Sequence, residues 1–196
     1  LILKKKIVLA STSRYRAELL SRLLLPFEAA RPNTDETPLG EEKPAETALR
    51  LSIAKATSLK HSHPGALIIG SDQVADLNGL AIGKPGQIDH AREQLKMMRG
   101  QSLIFHSGLA VIDADSARVQ ARVVPTSVRF RDFTDNEIEQ YLQKENALDC
   151  AGSAKSEGLG IALIAAVHSD DPSALIGLPL IALGEMLRNE GVSVLA

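Results

Sequence analysis

The chain has no tryptophan, and aromatic residues make up only 3% of its 196 positions. Leu, Ile, Val and Ala must therefore build the core, and a hydrophobic content of 44% supplies enough of them. So few rings also disfavour a single-strand nucleic-acid platform, which stacks bases on aromatic faces. There is one cysteine, Cys150, so no intrachain disulfide can form and a reducing cytoplasm fits. Neither sign of charge is in excess: 22 Lys and Arg face 24 Asp and Glu, for a net charge of −2. That balance lacks the basic field of a non-specific nucleic-acid binder but leaves room for a small basic pocket. No apolar run reaches the roughly 20 residues of a membrane-spanning helix. The apolar stretch after the basic residues of LILKKKIVLAS is too short for a signal peptide. Internal repeats, low-complexity segments and a G-x-x-x-x-G-K-[ST] phosphate loop are all missing. The length favours a single domain over 1–196, or two small lobes sharing a sheet.

Strand and helix signals alternate along what is present. Ile7 to Ala10 reads as a buried first strand, followed by an amphipathic helix from Arg14 to about Leu24, capped by Ser11 or Ser13. Phe27 to Arg31 reads as a second strand and Pro32 to Lys43 as a loop. Pro44 opens a helix to about Lys60. The run ALIIG, Ala66 to Gly70, has the continuous apolarity of a central strand, and Asn78-Gly79 signals a hairpin. A helix over Ile88 to Met98 closes at Gly100. Long strands over Ser102–Asp113 and Arg118–Arg131 follow, then a helix from the capping box Thr134/Glu137 to about Gln143. Cys150 to Ala165 reads as a loop entering a strand, and Pro179 opens a last helix ending near Asn189. The pattern predicts an α/β protein with a mixed sheet.

The chemistry-bearing residues lie at the junctions. Ser11-Thr12-Ser13-Arg14-Tyr15-Arg16 joins a strand to a helix, leaving backbone N–H groups outward with the helix dipole behind them. Arg14 and Arg16 add forked donors suited to phosphate oxygens. The same residues also describe an ordinary capped helix. Asp72, after the apolar run, is expected at the end of a core strand, where a carboxylate holds a cation or orients water. As a lone Asp after a strand, it also describes a turn. Lys84 of Gly83-Lys84-Pro85, Asp35-Glu36 and Lys55 are a possible phosphate cation, possible hard-cation ligands and a helical lysine. Each alone is equally an ordinary surface residue. Gly152 to Gly158 (GSAKSEG) is dense in small residues and donors. His61 and His63 read as a solvated helix end, and Cys150 as a buried small residue.

Taken in order, LASTSRYRAELL, DE, the A-K-A helix, IIGSDQV, GKP, AGSAKSEGLGI and GLPL resemble the Maf nucleotide pyrophosphatase family over about Ile7 to Leu195. S-D-Q with K-S-E-G resembles its 7-methyl-GTP pyrophosphatase branch. The family's opening S-x-S-P-R-R stands here with Arg14 in place of proline and Tyr15 in place of the first arginine. The resemblance implies an elongated mixed sheet flanked by helices, with two lobes around a cleft (Maf/ITPase-like). It also implies a homodimer, Mg²⁺ or Mn²⁺, and cleavage of a nucleoside triphosphate to monophosphate and pyrophosphate. On this expectation Asp72, Lys84 and Lys55 are catalytic. Ser11, Ser13, Arg16, Tyr15, Gln73 and Glu157 bind substrate, and Glu36 and Asp72 hold the metal. Methylation at N7 makes guanine cationic, which gives Glu157 an attraction for the base and Tyr15 a cation to stack on. Two alternatives stay open: a UTP, dTTP or modified-pyrimidine specificity, and a non-catalytic nucleotide-binding regulator of septum formation.

Overall fold

In a computed structural model of the chain, described over residues 5–195, seven strands form one mixed sheet in the order β2-β1-β3-β5-β6-β7, with the short β4 beside β3. The strands are β1 (Lys6–Ala10), β2 (Phe27–Ala30), β3 (Ala66–Leu77), β4 (Leu80–Ile82), β5 (Ser102–Asp113), β6 (Val119–Phe130) and β7 (Ile164–His168). The helices are α1 (Arg14–Ser21), α2 (Pro44–Ser58), α3 (Ile88–Met98), α4 (Asp135–Lys144) and α5 (Leu180–Asn189). β2, β1 and the first part of β3 are parallel, and all other pairs are antiparallel. Three strands of 12 residues elongate the sheet to about 40 Å. Among the described residues no helix is long and apolar enough to cross a membrane.

The apolar side chains divide into two lobes. Ile7, Leu9, Leu67, Ile69 and Val111 pack under Leu19 and Leu20 of α1 and Leu183 and Leu187 of α5. Farther along the sheet, Leu103, Phe105, Val128 and Phe130 pack under Leu95 and Met98 of α3 and Ile138 and Tyr141 of α4. Helix α2 covers the opposite face of the first lobe, with Ala56 and Leu59 against Val8, Ile68 and Ile112.

Two glycines set how closely α2 approaches. A Cβ on Gly70 would lie 2.1 Å from the Ser52 carbonyl oxygen, and one on Gly108 would lie 2.1 Å from that of Ala48. Both obstacles are backbone, so nothing rotates away. Gly108→Ala is expected to cost about 3 kcal/mol of folding stability, measurable as a lowered urea midpoint. A midpoint unchanged from the parent would mean that α2 does not sit where it is placed here.

Most expected boundaries agree within two residues, with two corrections. Helix α1 ends at Ser21, not near Leu24. Leu24 turns into left-handed backbone (φ 54°) with its side chain exposed, because only Leu19 and Leu20 are buried by the sheet. The ALIIG strand does not stop at Gly70. β3 runs on through Ser71-Asp72-Gln73 to Leu77, since β5 pairs with it continuously from Leu67 to Asp76. His63 is less solvated than expected: it is half-buried, with Nε2 3.5 Å from the Glu28 carboxylate.

Candidate active site

The register explains the cleft. β1 leaves β3 at the pair Ala10–Gly70, and β4 joins that edge only from Ala75 onward. Between them Ser71 to Val74 have no strand on that side, and a cavity of about 750 Å³ opens between the lobes. Asp72 therefore sits in mid-strand, not at a strand end. The neighbouring strand ends instead, so the largely buried Asp72 carboxylate lines the cavity from within the sheet.

The pleat sends the S-D-Q side chains to opposite faces. Ser71 donates to the carbonyls of Gly108 (2.8 Å) and Gly177 (2.9 Å). The Gln73 amide nitrogen lies 3.0 Å from Ser107 Oγ and from the carbonyls of Ala174 and Leu175. Its donors are thus committed to protein, and only its Oε1 is free for a ligand. Asp72 faces α2, where Lys55 Nζ donates to Oδ1 at 2.6 Å. The same ammonium lies 2.9 Å from Glu36 Oε1, so a buried lysine bridges two acids from two different elements.

Glu36 is carried by the loop before α2, and that loop is clamped. Arg50 reaches Glu42 through two bonds, at 2.6 and 2.7 Å, and Thr47 Oγ1 donates to the same carboxylate at 2.9 Å. The Arg50 guanidinium is the main reason the Glu42 carboxyl is pulled down to about 2. No simple sequence pattern marks this pair, although its eight-residue separation spans a loop and a helix start.

Opposite Asp72 stands the turn into α1. Ser13 caps the helix, accepting from Arg16 N at 3.4 Å, and Ser11 Oγ accepts from Ser13 N at 3.1 Å. Each hydroxyl thus spends a lone pair on the turn and keeps its hydrogen for another acceptor. The first intrahelical bond is Ala17 N to Ser13 O, which leaves the amides of Arg14 and Tyr15 unspent. No acidic side chain occupies this first turn to answer the helix dipole. Arg16 Nε donates to the Gly177 carbonyl at 2.9 Å, aiming the rest of the fork into the cavity. Burial lowers its pKa, and the carboxylates of Asp72 and Glu36 oppose that shift. Gly177 holds φ +119° at this contact, a conformation that favours glycine.

Every residue expected to act lines this one cavity: Ser11, Ser13, Tyr15, Arg16, Glu36, Lys55, Asp72, Gln73, Lys84 and Glu157. Lys84 has no carboxylate partner among the described residues. Asp149 and Cys150 also line the wall. Cys150 is only partly buried, contrary to expectation, because it closes the loop side of the cleft and not the core. Burial, then the charges of Asp149 and Glu157, push its thiol up to about 12, so it stays protonated and unreactive. Among the described residues no three His, Cys, Asp or Glu side chains group as a self-sufficient metal site.

Hydroxyls, free amides and unpaired cations on one side, with an acid–lysine–acid bridge on the other, define an α/β protein whose cleft suits a polyphosphate anion. The sequence profile of the family described as "Maf-like protein" matches residues 6–190, and the chain belongs to that family. It is 57% identical over 187 residues to the 7-methyl-GTP pyrophosphatase of Aromatoleum aromaticum, covering 95% of this chain and 96% of the relative. It is 58% identical over 189 residues to that of Methylobacillus flagellatus (96% and 98%), and 57% over 189 residues to that of Thiobacillus denitrificans (96% and 94%).

Proposed function

We propose that this protein hydrolyses 7-methyl-GTP to 7-methyl-GMP and pyrophosphate, as a cytoplasmic homodimer assisted by Mg²⁺ or Mn²⁺. The observation that carries the reading is the convergence of the Lys55–Asp72–Glu36 bridge on the open helix start at Ser11 to Arg16. Relatives bearing the 7-methyl-GTP name support the base.

The hydroxyls of Ser11 and Ser13, the first amides of α1 and the Arg16 fork grip the phosphates. Water attacks the α-phosphorus, and the bond to the bridging oxygen of the β-phosphate breaks. The Asp72 carboxylate takes the proton of that water, through the oxygen that Lys55 leaves without a hydrogen bond. The charge growing on the departing pyrophosphate is answered by Lys84 and Lys55. The acids suit a divalent cation beside that ammonium: Glu36 and Asp72 each give Lys55 Nζ one oxygen and keep a second hard oxygen that accepts no hydrogen bond among the described residues. When bound there, by Glu36 and Asp72, it supplies Lewis-acid activation of phosphate and water. At the other end Tyr15, Glu157 and Asp149 offer a ring and two carboxylates to a cationic purine.

The test is pyrophosphate release from 7-methyl-GTP, GTP, UTP and dTTP, with magnesium and again with EDTA. The expected result is turnover favouring 7-methyl-GTP and lost on chelation. Turnover of UTP or dTTP alone would overturn the base assignment. Nucleotide binding without turnover of any substrate would favour the regulator.

A further inference from the structure

Tyr15 is the ring that the helix start presents to the cleft, and two cations already stand beside it. The Arg14 guanidinium carbon lies 4.7 Å from the ring centroid, with Nη2 donating to the Tyr15 hydroxyl at 2.8 Å. Lys155 Nζ lies 5.6 Å from the same centroid. A site meant to receive a cationic base should not carry an uncompensated ammonium there, because two positive charges would compete for one π face. Arg14 is exposed, so water screens it. The Lys155 side chain is mostly withdrawn from solvent and depends on a protein partner: Glu145, at the C-terminal end of α4, whose Oε1 lies 2.9 Å from Nζ.

The pair is built into the loop. Glu145 Oε2 accepts from Leu159 N at 3.0 Å, and Lys155 N donates to the Tyr141 hydroxyl at 3.1 Å. A Cβ at Gly158 would stand 2.4 Å from Glu145 Oε2, and one at Gly160 would stand 2.5 Å from Lys155 N. The two glycines of GLG, which match no dinucleotide fingerprint, let this loop close over the Glu145–Lys155 pair.

The geometry points to Glu145 and Lys155 as a charge-compensating pair that sets selectivity for a cationic base: Glu145 cancels the ammonium beside Tyr15, so that the ring accepts a positively charged purine. Neither side chain touches the reacting atoms, and both act through Tyr15 as positioning residues. This inference rests on the substrate reading proposed above.

The experiment is kcat/KM for 7-methyl-GTP and for GTP, which differ in one methyl and one positive charge. It is run on the parent, Glu145→Gln, Lys155→Met, Lys155→Arg and the double variant Glu145→Gln/Lys155→Met. Glu145→Gln unmasks the ammonium and should lower the methylated-to-unmethylated ratio by roughly 5-fold, from one charge several ångströms away at intermediate dielectric. Lys155→Met unmasks the carboxylate and should raise the ratio by a similar factor. The double variant should return toward the parent ratio, and Lys155→Arg should keep it. Opposite movements that shrink in high salt support the pair. A ratio that falls in both single variants, or stays constant while both rates drop together, marks a purely structural loop contact and overturns the inference. If the parent itself fails to turn over 7-methyl-GTP, the substrate reading has failed instead, which the parent measurement alone reveals.

Discussion

Asp72→Asn lowers kcat for 7-methyl-GTP by about a thousandfold, the range expected when a general base or a metal-binding carboxylate is removed. The fold should survive. Asparagine keeps the size of the side chain and an oxygen for Lys55 Nζ, and Glu36 remains 2.9 Å from that ammonium. Pyrophosphate release and thermal melting, measured on the same preparation, separate the two effects. A variant that melts near the parent temperature but turns over a thousandfold more slowly places Asp72 in the chemistry. Loss of activity only in proportion to loss of folded protein would reduce it to a structural acid. Proton acceptance and metal ligation then divide by the pH profile. A base leaves an acid limb that vanishes in the variant, whereas a ligand leaves a raised magnesium requirement.

Lys55→Met is the second large expectation, and it strikes stability as well as rate. The ammonium is buried and paired to Asp72 at 2.6 Å and to Glu36 at 2.9 Å. Removing one partner of a buried ion pair costs about 3 to 5 kcal/mol, since the remaining charges lose their compensation. Here two carboxylates would face each other across an apolar methionine. Urea unfolding should show the loss, and kcat should fall by roughly a hundredfold or more as stabilisation of the leaving pyrophosphate disappears. Magnesium should raise the melting temperature of this variant more than that of the parent, because the vacated point suits a divalent cation. Full stability without metal would mean that Lys55 is dispensable to the fold and that the bridge contributes little.

These expectations rest on a site whose parts were unequally legible. The capping box at Thr134, the Asn78-Gly79 turn and the Gly100 stop after α3 are local signals, and their elements stand where the pattern puts them. The S-T-S turn was equally readable, because a cap needs only its own neighbours. Asp72 was expected at a strand end and lies in mid-strand. Ser-Asp after an apolar run looks like a strand end, but pairing with β5 carries the strand onward. What ends is β1, a fact about the neighbour that no reading of residues 66–77 contains. Gln73, expected to bind substrate, spends its donors on the carbonyls of Ala174 and Leu175, about a hundred residues away. The Arg50–Glu42 clamp and the Glu145–Lys155 pair were invisible for the same reason. A charged side chain in a sequence carries no mark of its partner.

The sequence alone determined the chemistry available to this protein. It supplied the donors at a helix start, the lysines and acids at the junctions, and the small residues that let backbone approach backbone, because residue type and short-range spacing decide those. It also determined the alternation of strands and helices, since hydrophobic period is local. Only the tertiary structure decided which groups meet. The gap left between β1 and β4, the glycines that draw α2 onto the sheet, and the Gly177 carbonyl that aims Arg16 bring Lys55, Asp72 and Glu36 to face the turn at Ser11. Long-range pairing and close packing govern that convergence, and both depend on the whole chain being folded at once.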